Sequence, residues 1–258
     1  MTTIQNGNRD REQQMWNDAN RARNQGRHRE AIRLYRTILV ENPNHREAAL
    51  RLAPMLAVDG EFFESWQLYR RVALEHARDK QFFECLGVYR EACRYVAGEF
   101  EAWRLCADLL VKLKRHDEAF ETLLDGRTHF THTRHRAQAI ALLTRAREIE
   151  PWDGFVLLDL ARLYAAQGQS ELALELLATL APRVEGRDLR KVRWLQLTLT
   201  LSARHFFLWL KSFFVTRERA EPELPTLSLI DPLDLDDKDD EIELRDTPHL
   251  RSVSGESA

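Results

Sequence analysis

The chain has 258 residues, of which 44% are hydrophobic and 31% are charged, and its net charge is −3. That composition is ordinary for a soluble helical protein and leaves room for one or two globular domains or for one elongated array. With only ten glycines and eight prolines in the whole chain, residues 10–215 contain few helix breakers. They also lack a run of alternating β-branched residues, so we expect helix and no β-sheet.

Taken in chain order, the residues predict twelve helices between short turn signals. Before them, residues 1–9 are polar and lack an apolar run, so we expect a disordered N-terminus rather than a signal peptide. Pro54 lies inside the third helix and should kink it, because proline removes a backbone hydrogen bond. The predicted helices span residues 10–25, 28–42, 45–59, 61–77, 80–97, 99–114, 116–128, 134–149, 153–167, 170–183, 187–202 and 204–216.

Small residues recur along these helices about every 34 residues. Glycine lies at the turn between the two helices of a pair, where it adopts a positive φ without strain, and small side chains let the paired backbones approach closely. Such a pair cannot bury its own apolar face, so it stacks on a copy of itself. The recurring positions are Ala19, Gly26, Ala31, Tyr35, Ile38 and Pro43, then Ala53, Gly60, Ser65, Tyr69, Val72 and Ala77, and finally Ala161, Gly168, Ala173, Leu177 and Leu180.

This pattern resembles the tetratricopeptide repeat family, whose period is 34 residues and whose signature is a series of small, aromatic and proline residues. The resemblance implies an all-α, right-handed superhelical solenoid of stacked antiparallel helix pairs over residues 10–184, followed by closing helices over residues 185–218. One repeat around Trp103 begins 88 residues after Met15, which is not a multiple of 34. We therefore expect one helix too many or too few between about residues 78 and 133, with continuous stacking.

The resemblance also implies that the first helix of each pair lines a concave groove used for binding. An aromatic side chain beside asparagine and arginine suits a peptide, because asparagine pairs with a backbone and arginine holds a carboxylate bidentately. The alternative is that these are ordinary solvated residues and that Trp16 packs at the first turn. Further positions expected to face the groove are Leu50, Pro54, Val58, Glu101, Asp108, Phe155 and Leu158. The predicted partner-binding residues are Gln13, Trp16, Asn20, Arg23, Asn24, Arg51, Arg104 and Arg162.

Residues 204–216 form an apolar closing helix that lacks a polar face. This helix is too short to span a bilayer. One interpretation is packing against the preceding helices. The other is docking on a membrane surface or a partner, with Arg204, Lys211, Arg217 and Arg219 meeting anionic groups. The predicted docking residues are Phe206, Phe207, Trp209, Phe213 and Phe214.

Residues 219–258 differ in character, since leucines alternate there with carboxylates and prolines. Residues 221–258 hold twelve acidic and three basic residues, a net charge of −9, against +6 for the rest of the chain. This composition cannot build a core of its own, so we expect a disordered acidic tail. The tail either moves freely or binds the body of the same chain or of a neighbouring copy, which would be a form of self-association.

The remaining candidates for chemistry are weak. Cys85, Cys93 and Cys106 lack a metal or redox spacing, so we expect buried packing residues in a reducing compartment. Three histidines within residues 129–135 could coordinate zinc or copper, although a polar connection between helices is the better interpretation. The sequence contains no P-loop, dinucleotide-binding, nucleophile-elbow or zinc-protease motif.

Together these patterns predict a non-enzymatic scaffold or adaptor that binds another protein, or a peptide segment of it, in the groove. Neither a cofactor nor a metal is expected, and the acidic tail argues against nucleic acid as a partner. The excess of arginine over lysine and the absence of a leader favour the bacterial cytoplasm. The alternative is a peripheral membrane assembly factor that docks on an anionic surface through residues 204–216, and an enzyme is a distant third.

Overall fold

The computed structural model describes the backbone of residues 2–213 and the side chains of residues 10–213. Within that range the chain forms twelve α-helices, one 3₁₀ turn at Thr133–His135 and no β-strand. All twelve predicted helices are confirmed, most of them with both ends within three residues of the prediction. The helices are α1 (Thr2–Asn24), α2 (His28–Glu41), α3 (Arg46–Val58), α4 (Phe62–Arg78), α5 (Phe82–Tyr95), α6 (Phe100–Lys112), α7 (His116–Thr128), α8 (Arg136–Ile149), α9 (Gly154–Ala166), α10 (Ser170–Leu180), α11 (Gly186–Thr200) and α12 (Ala203–Lys211).

Two helix ends differ from the prediction. α1 begins at Thr2 rather than at residue 10, and residues 1–9 contain no proline that would stop it. α12 ends at Lys211, five residues before the predicted end. The last predicted residues of that helix, 214–216, and the predicted acidic tail, 219–258, lie outside the described residues. The division of the chain into domains stays a prediction.

Each helix packs antiparallel to its neighbours in the chain. The buried residues form two clusters, one over α1–α3 and a larger one over α3–α11. Small residues of the repeat pattern lie in both clusters. Ala53, Ala107 and Ala161 are fully buried at the close approach of two helices. The turn that follows α3 contains Gly60 at φ +86°, and the turn that follows α9 contains Gly168 at φ +79°. Glycine fits both turns because this conformation strains other residues.

One extra helix accounts for the shift in the repeat register. α3, α6 and α9 begin 54 residues apart, and so do Gly60, Lys114 and Gly168, the residues with positive φ that follow them. This spacing equals one 34-residue pair plus about 20 residues, the length of one helix and its turn. Three consecutive helices therefore repeat from α3 onward. The prediction was one helix too many or too few, and this spacing corresponds to one too many.

α4 shows why an odd helix can be inserted without breaking the stack. Ala73 is fully buried seven residues before Lys80, which has a φ of +57°. Ala53 stands in the same relation to Gly60 on α3. α4 thus closes one pair with α3 and opens another with α5, since both of its faces carry small or apolar residues.

The cysteines and the histidine-containing connection take structural positions. Cys85, Cys93 and Cys106 are free thiols buried in α5 and α6, as predicted, and burial raises the pKa of the Cys85 thiol to about 11. The histidines lie at the connection between α7 and α8, as predicted. Phe130 anchors this connection, being only 2% exposed, and His129 stacks on the Trp103 ring at a centroid distance of 5.3 Å.

Candidate functional site

An open cavity lies where the C-terminal parts of α1, α3 and α5 meet. Its volume is about 400 Å³, which is in the range of sites that hold a ligand or a few peptide side chains. We call it the α1–α3–α5 cavity. It is lined by Arg23, His28, Leu50, Arg51, Pro54, Met55, Val58, Asp59, Glu91 and Tyr95.

Two guanidinium groups, those of Arg23 and Arg51, border this cavity. Burial raises the pKa of the Tyr35 hydroxyl, and the nearby charges of Arg23 and Arg51 oppose that rise. Arg51 Nη2 lies 3.7 Å from the exposed Glu47 carboxylate, a solvent-screened pair that contributes about 0.5 kcal/mol or less. Arg23 makes no ion pair among the described side chains. Both arginines are therefore available to an acidic group in the cavity.

Two hydrogen bonds within the first helix pair, α1 and α2, fix the side chain of Asn20. Its Nδ2 donates to the Trp16 carbonyl oxygen at 3.0 Å, and its Oδ1 accepts from the Tyr35 hydroxyl at 2.8 Å. Trp16 is half-buried and packs between the rings of Tyr35 and His45, with centroid distances of 5.7 and 5.1 Å. Trp16 therefore lies outside the cavity lining. Asn20, which was also predicted to face the groove, lies outside this lining as well.

Glu91, on α5, is one of the two acidic groups that line the cavity; the other is Asp59. Burial raises the pKa of the Glu91 carboxyl, while the hydrogen bond from Tyr69 and the charges of Arg51 and Arg94 oppose the rise. The Tyr69 hydroxyl donates to Glu91 Oε1 at 3.2 Å. α4 supplies this tyrosine and α5 supplies the carboxylate. α5, the helix that falls outside the 34-residue pairs, therefore forms part of the cavity wall.

Apolar side chains complete the rim. Val58 is 79% exposed and Tyr95 is 37% exposed, and the Arg94 guanidinium lies 5.9 Å from the centre of the Tyr95 ring. Pro54 also lines the cavity. It lies on α3, which runs as one helix through the proline, and the predicted kink stays a prediction. The cavity thus offers two guanidinium groups, the two carboxylates of Asp59 and Glu91, and an apolar rim, a set suited to binding a peptide.

The sequence predicts some of the residues that line the cavity and not others. Arg23 and Arg51, both predicted, meet in the cavity. Glu91 and Tyr95 were missed because the repeat register left α5 outside every pair. One sequence signal does indicate α5. Cys85 is a small residue that lies 20 residues after Ser65, the small residue at the equivalent position of α4.

Four further predicted residues lie elsewhere. Arg104 lies in a separate open cavity of about 590 Å³ between α6 and α8, where it pairs with Glu101 and Asp108. Gln13, Asn24 and Arg162 are exposed outside both cavities.

One expected groove position is wrong. Leu158 is only 7% exposed and belongs to the core around α9. α9 carries apolar residues on most of its faces, so its position in the repeat did not separate a groove side from a core side. Phe155, at 59% exposure, lies on the free surface of the same helix.

A second candidate surface lies on the hairpin formed by α11 and α12. Its exposed apolar residues, which we call the hairpin surface, have exposures between 42% and 87%. Trp209 is half-buried and packs on Trp194 at a centroid distance of 5.5 Å. Packing on the preceding helix therefore accounts for one side of α12 and leaves the other side free. Phe214, also predicted to dock, lies outside the described residues. The hairpin surface consists of Trp194, Leu201, Phe206, Phe207, Leu210 and Phe213.

None of the helices in the described range is long and apolar enough to cross a lipid bilayer.

The chain matches the tetratricopeptide repeat family model over residues 134–191. A search of the curated proteins finds no match. Similar solved structures include a tetratricopeptide repeat protein of Parabacteroides merdae, with 12% identity, coverage of 81% of this chain and 94% of that one, and a TM-score of 0.28. PilF of Pseudomonas aeruginosa has 14% identity, coverage of 81% and 91%, and a TM-score of 0.30.

A thermophilic tetratricopeptide repeat protein of Thermus thermophilus is also similar, with 17% identity, coverage of 79% and 88%, and a TM-score of 0.27. Because all three TM-scores are low, nothing about function follows from these structures. Twelve helices pack in sequence within residues 2–213, with buried small residues at fixed spacing, so the described chain is an all-α array similar to those of tetratricopeptide repeats, and its residues 134–191 match that family's model.

Proposed function

We propose that this protein is an interaction module that binds a peptide segment of a partner protein in the α1–α3–α5 cavity. One observation carries the proposal. Arg23, Arg51 and Glu91 border a single open cavity whose rim includes the exposed side chains of Val58 and Tyr95. Protein–protein interaction is the general role of tetratricopeptide repeats, and this cavity is the position in the array that supports it best.

The lining defines the chemistry of the bound segment. Arg23 and Arg51 would hold a carboxylate, by charge-assisted hydrogen bonds that are stronger than those between neutral groups. An aromatic or aliphatic side chain would cover the rim formed by Pro54, Val58 and Tyr95. The segment therefore combines an acidic residue with a large apolar residue.

A random peptide library displayed on phage tests the proposal with the full chain as target. Wild-type protein should enrich peptides that contain an acidic residue beside an apolar one. Arg51→Glu should bind these peptides about thirtyfold more weakly, since losing a charged hydrogen bond costs about 2 kcal/mol. Arg147→Glu makes the same change of charge at an exposed site on α8 and should bind as wild type does.

Equal binding of the selected peptides by wild type and Arg51→Glu would contradict the proposal. So would a wild-type selection that enriches no acidic-apolar peptides. Circular dichroism of both variants should match that of wild type, because both side chains are exposed.

A further inference from the structure

The hairpin surface has a chemistry different from that of the cavity. Phe206 and Leu210 follow one another at i and i+4, so they lie on one exposed apolar face of α12. Phe213, in the turn just after α12, is exposed as well. Phe207, which is 67% exposed, lies beside this face. The ring of Trp209 contacts those of Phe206 and Phe213 at centroid distances of 6.1 and 5.2 Å. The result is a cluster of aromatic rings at the end of the described chain.

Basic residues surround this aromatic cluster. Residues 186–213 contain six arginines and lysines and a single acidic residue, Asp188, a net charge of +5. Arg204 and Lys211 are exposed on α12, and neither has a carboxylate partner among the described side chains. The Arg190 guanidinium lies 5.1 Å from the centre of the Phe213 ring. Positive charge and aromatic surface therefore face solvent together.

The turn between α11 and α12 adds a third observation. Leu201 is 87% exposed and adopts a φ of +47°, a left-handed conformation that favours glycine. A leucine held in this way costs about 1 kcal/mol or more in backbone strain and gains no packing within the described chain. An apolar residue at the tip of a hairpin gains contacts when the tip enters an apolar medium.

We propose that the hairpin surface binds the interface of an anionic lipid membrane. Short helices with an aromatic and leucine face and basic flanks lie in the plane of the headgroups, where tryptophan and phenylalanine rings are favoured. The anionic headgroups complement the net charge of +5 of residues 186–213. The α1–α3–α5 cavity plays no part in this contact, so a membrane and a peptide could be bound at the same time.

Vesicle co-sedimentation of the full chain tests the proposal. Vesicles of phosphatidylcholine with phosphatidylserine should carry the protein down at low salt, and vesicles of phosphatidylcholine alone should carry much less. Each basic residue near the surface contributes about 1 kcal/mol, a factor of about five in binding. Arg204→Glu combined with Lys211→Glu should therefore lower partitioning by at least about 25-fold. Added salt should lower it as well.

A second pair of variants tests the aromatic contribution. Phe207→Glu should abolish sedimentation, because the side chain can no longer enter the interface. Phe63→Glu makes the same substitution at a phenylalanine that is 76% exposed on α4 and should sediment as wild type does. Both side chains are exposed, so both variants should keep the helical content of wild type.

Three outcomes would overturn the proposal. The first is no sedimentation of the full chain with anionic vesicles at low salt. The second is equal sedimentation of wild type and Phe207→Glu. The third is equal loss in Phe207→Glu and Phe63→Glu, since this would show that any exposed phenylalanine has the same effect.

Discussion

At the scale of single residues, Trp103 and Gly126 show how one repeat differs from the others. The Trp103 Nε1–H donates to the Ala97 carbonyl at 2.9 Å, which fixes the ring. A β-carbon on Gly126 would lie only 2.8 Å from Trp103 Cγ. Val72 and Leu180 hold the equivalent position in other helix pairs. The large indole thus replaces the side chain that other pairs place there.

We predict opposite effects for two glycine substitutions within helices. Gly126→Ala should destabilise the protein by about 1–3 kcal/mol, because the added methyl group overpacks against a fixed ring. Gly87→Ala should stabilise it by about 0.4–1 kcal/mol, since Gly87 lies in α5 with nothing within 4 Å of the added carbon. Urea unfolding measures both. A stabilised Gly126→Ala variant would contradict the close packing of α6 on α7.

Glu91 gives a prediction about pH. Burial raises the pKa of this carboxyl, so between its ordinary and raised values the folded chain holds a proton that the unfolded chain releases. The stability contributed by Glu91 is therefore greatest below the ordinary pKa of glutamate and falls as pH rises through the raised value. Glu91→Gln keeps an acceptor for Tyr69 but does not titrate.

The measurement is the free energy of unfolding of Glu91→Gln minus that of wild type, taken across the acidic range. We expect this difference to increase with pH, because only wild type loses stability there. Glu121→Gln, at an exposed site on α7, controls for the change of charge. A difference that stays constant or decreases with pH would show that Glu91 is not buried in the cavity wall.

At the scale of helices and turns, lysine occupies the left-handed position of two turns, so glycine spacing alone does not predict the repeat register. Lys80 and Lys114 adopt φ values of +57° and +61°, in turns equivalent to those of Gly60 and Gly168. Glycine predicts the turns at Gly60 and Gly168 from sequence, whereas lysine at positions 80 and 114 does not predict a turn. The existence of an extra helix could be predicted from the spacing of Trp103, but its position could not.

The same turns allow a test by substitution. Lys114→Gly should stabilise the protein by about 0.5–1 kcal/mol, because relief of left-handed strain exceeds the entropy that glycine adds to the unfolded chain. Glu121→Gly, in the exposed interior of α7, should destabilise it by about 1 kcal/mol. Thermal unfolding of both variants measures these effects. If Lys114→Gly lowered the stability instead, residue 114 would lie at an ordinary helix end and not in a left-handed turn.

Close packing of helix pairs gives a further prediction at this scale. Ala173→Leu should cost about 1–3 kcal/mol, because Ala173 is fully buried where α10 meets α9. Ala178→Leu, at an exposed position on the same helix, should change stability by less than about 0.5 kcal/mol. Hydrogen exchange should show the loss concentrated in α9, α10 and their neighbours. Similar effects of the two substitutions would argue against the packing.

At the scale of the whole molecule, the sequence predicted the helices better than it predicted the site. Small residues and glycine turns are local features, so spacing alone located twelve helices. The cavity depends on which helices are in contact. α5 lies outside the 34-residue pairs, and it places Glu91 and Tyr95 beside α3. Arg23 and Arg51 could be assigned because they lie before the register changes. Trp16 could not be separated from the core, since its partners Tyr35 and His45 come from other helices.

The proposed function requires that a partner peptide binds in the α1–α3–α5 cavity. Hydrogen–deuterium exchange of the full chain, with and without an acidic-apolar peptide selected by phage display, tests it most directly. We predict slower exchange at the C-terminal ends of α1, α3 and α5, and no change in α11 and α12. Unchanged exchange at the ends of α3 and α5, with protection elsewhere in the array, would contradict it.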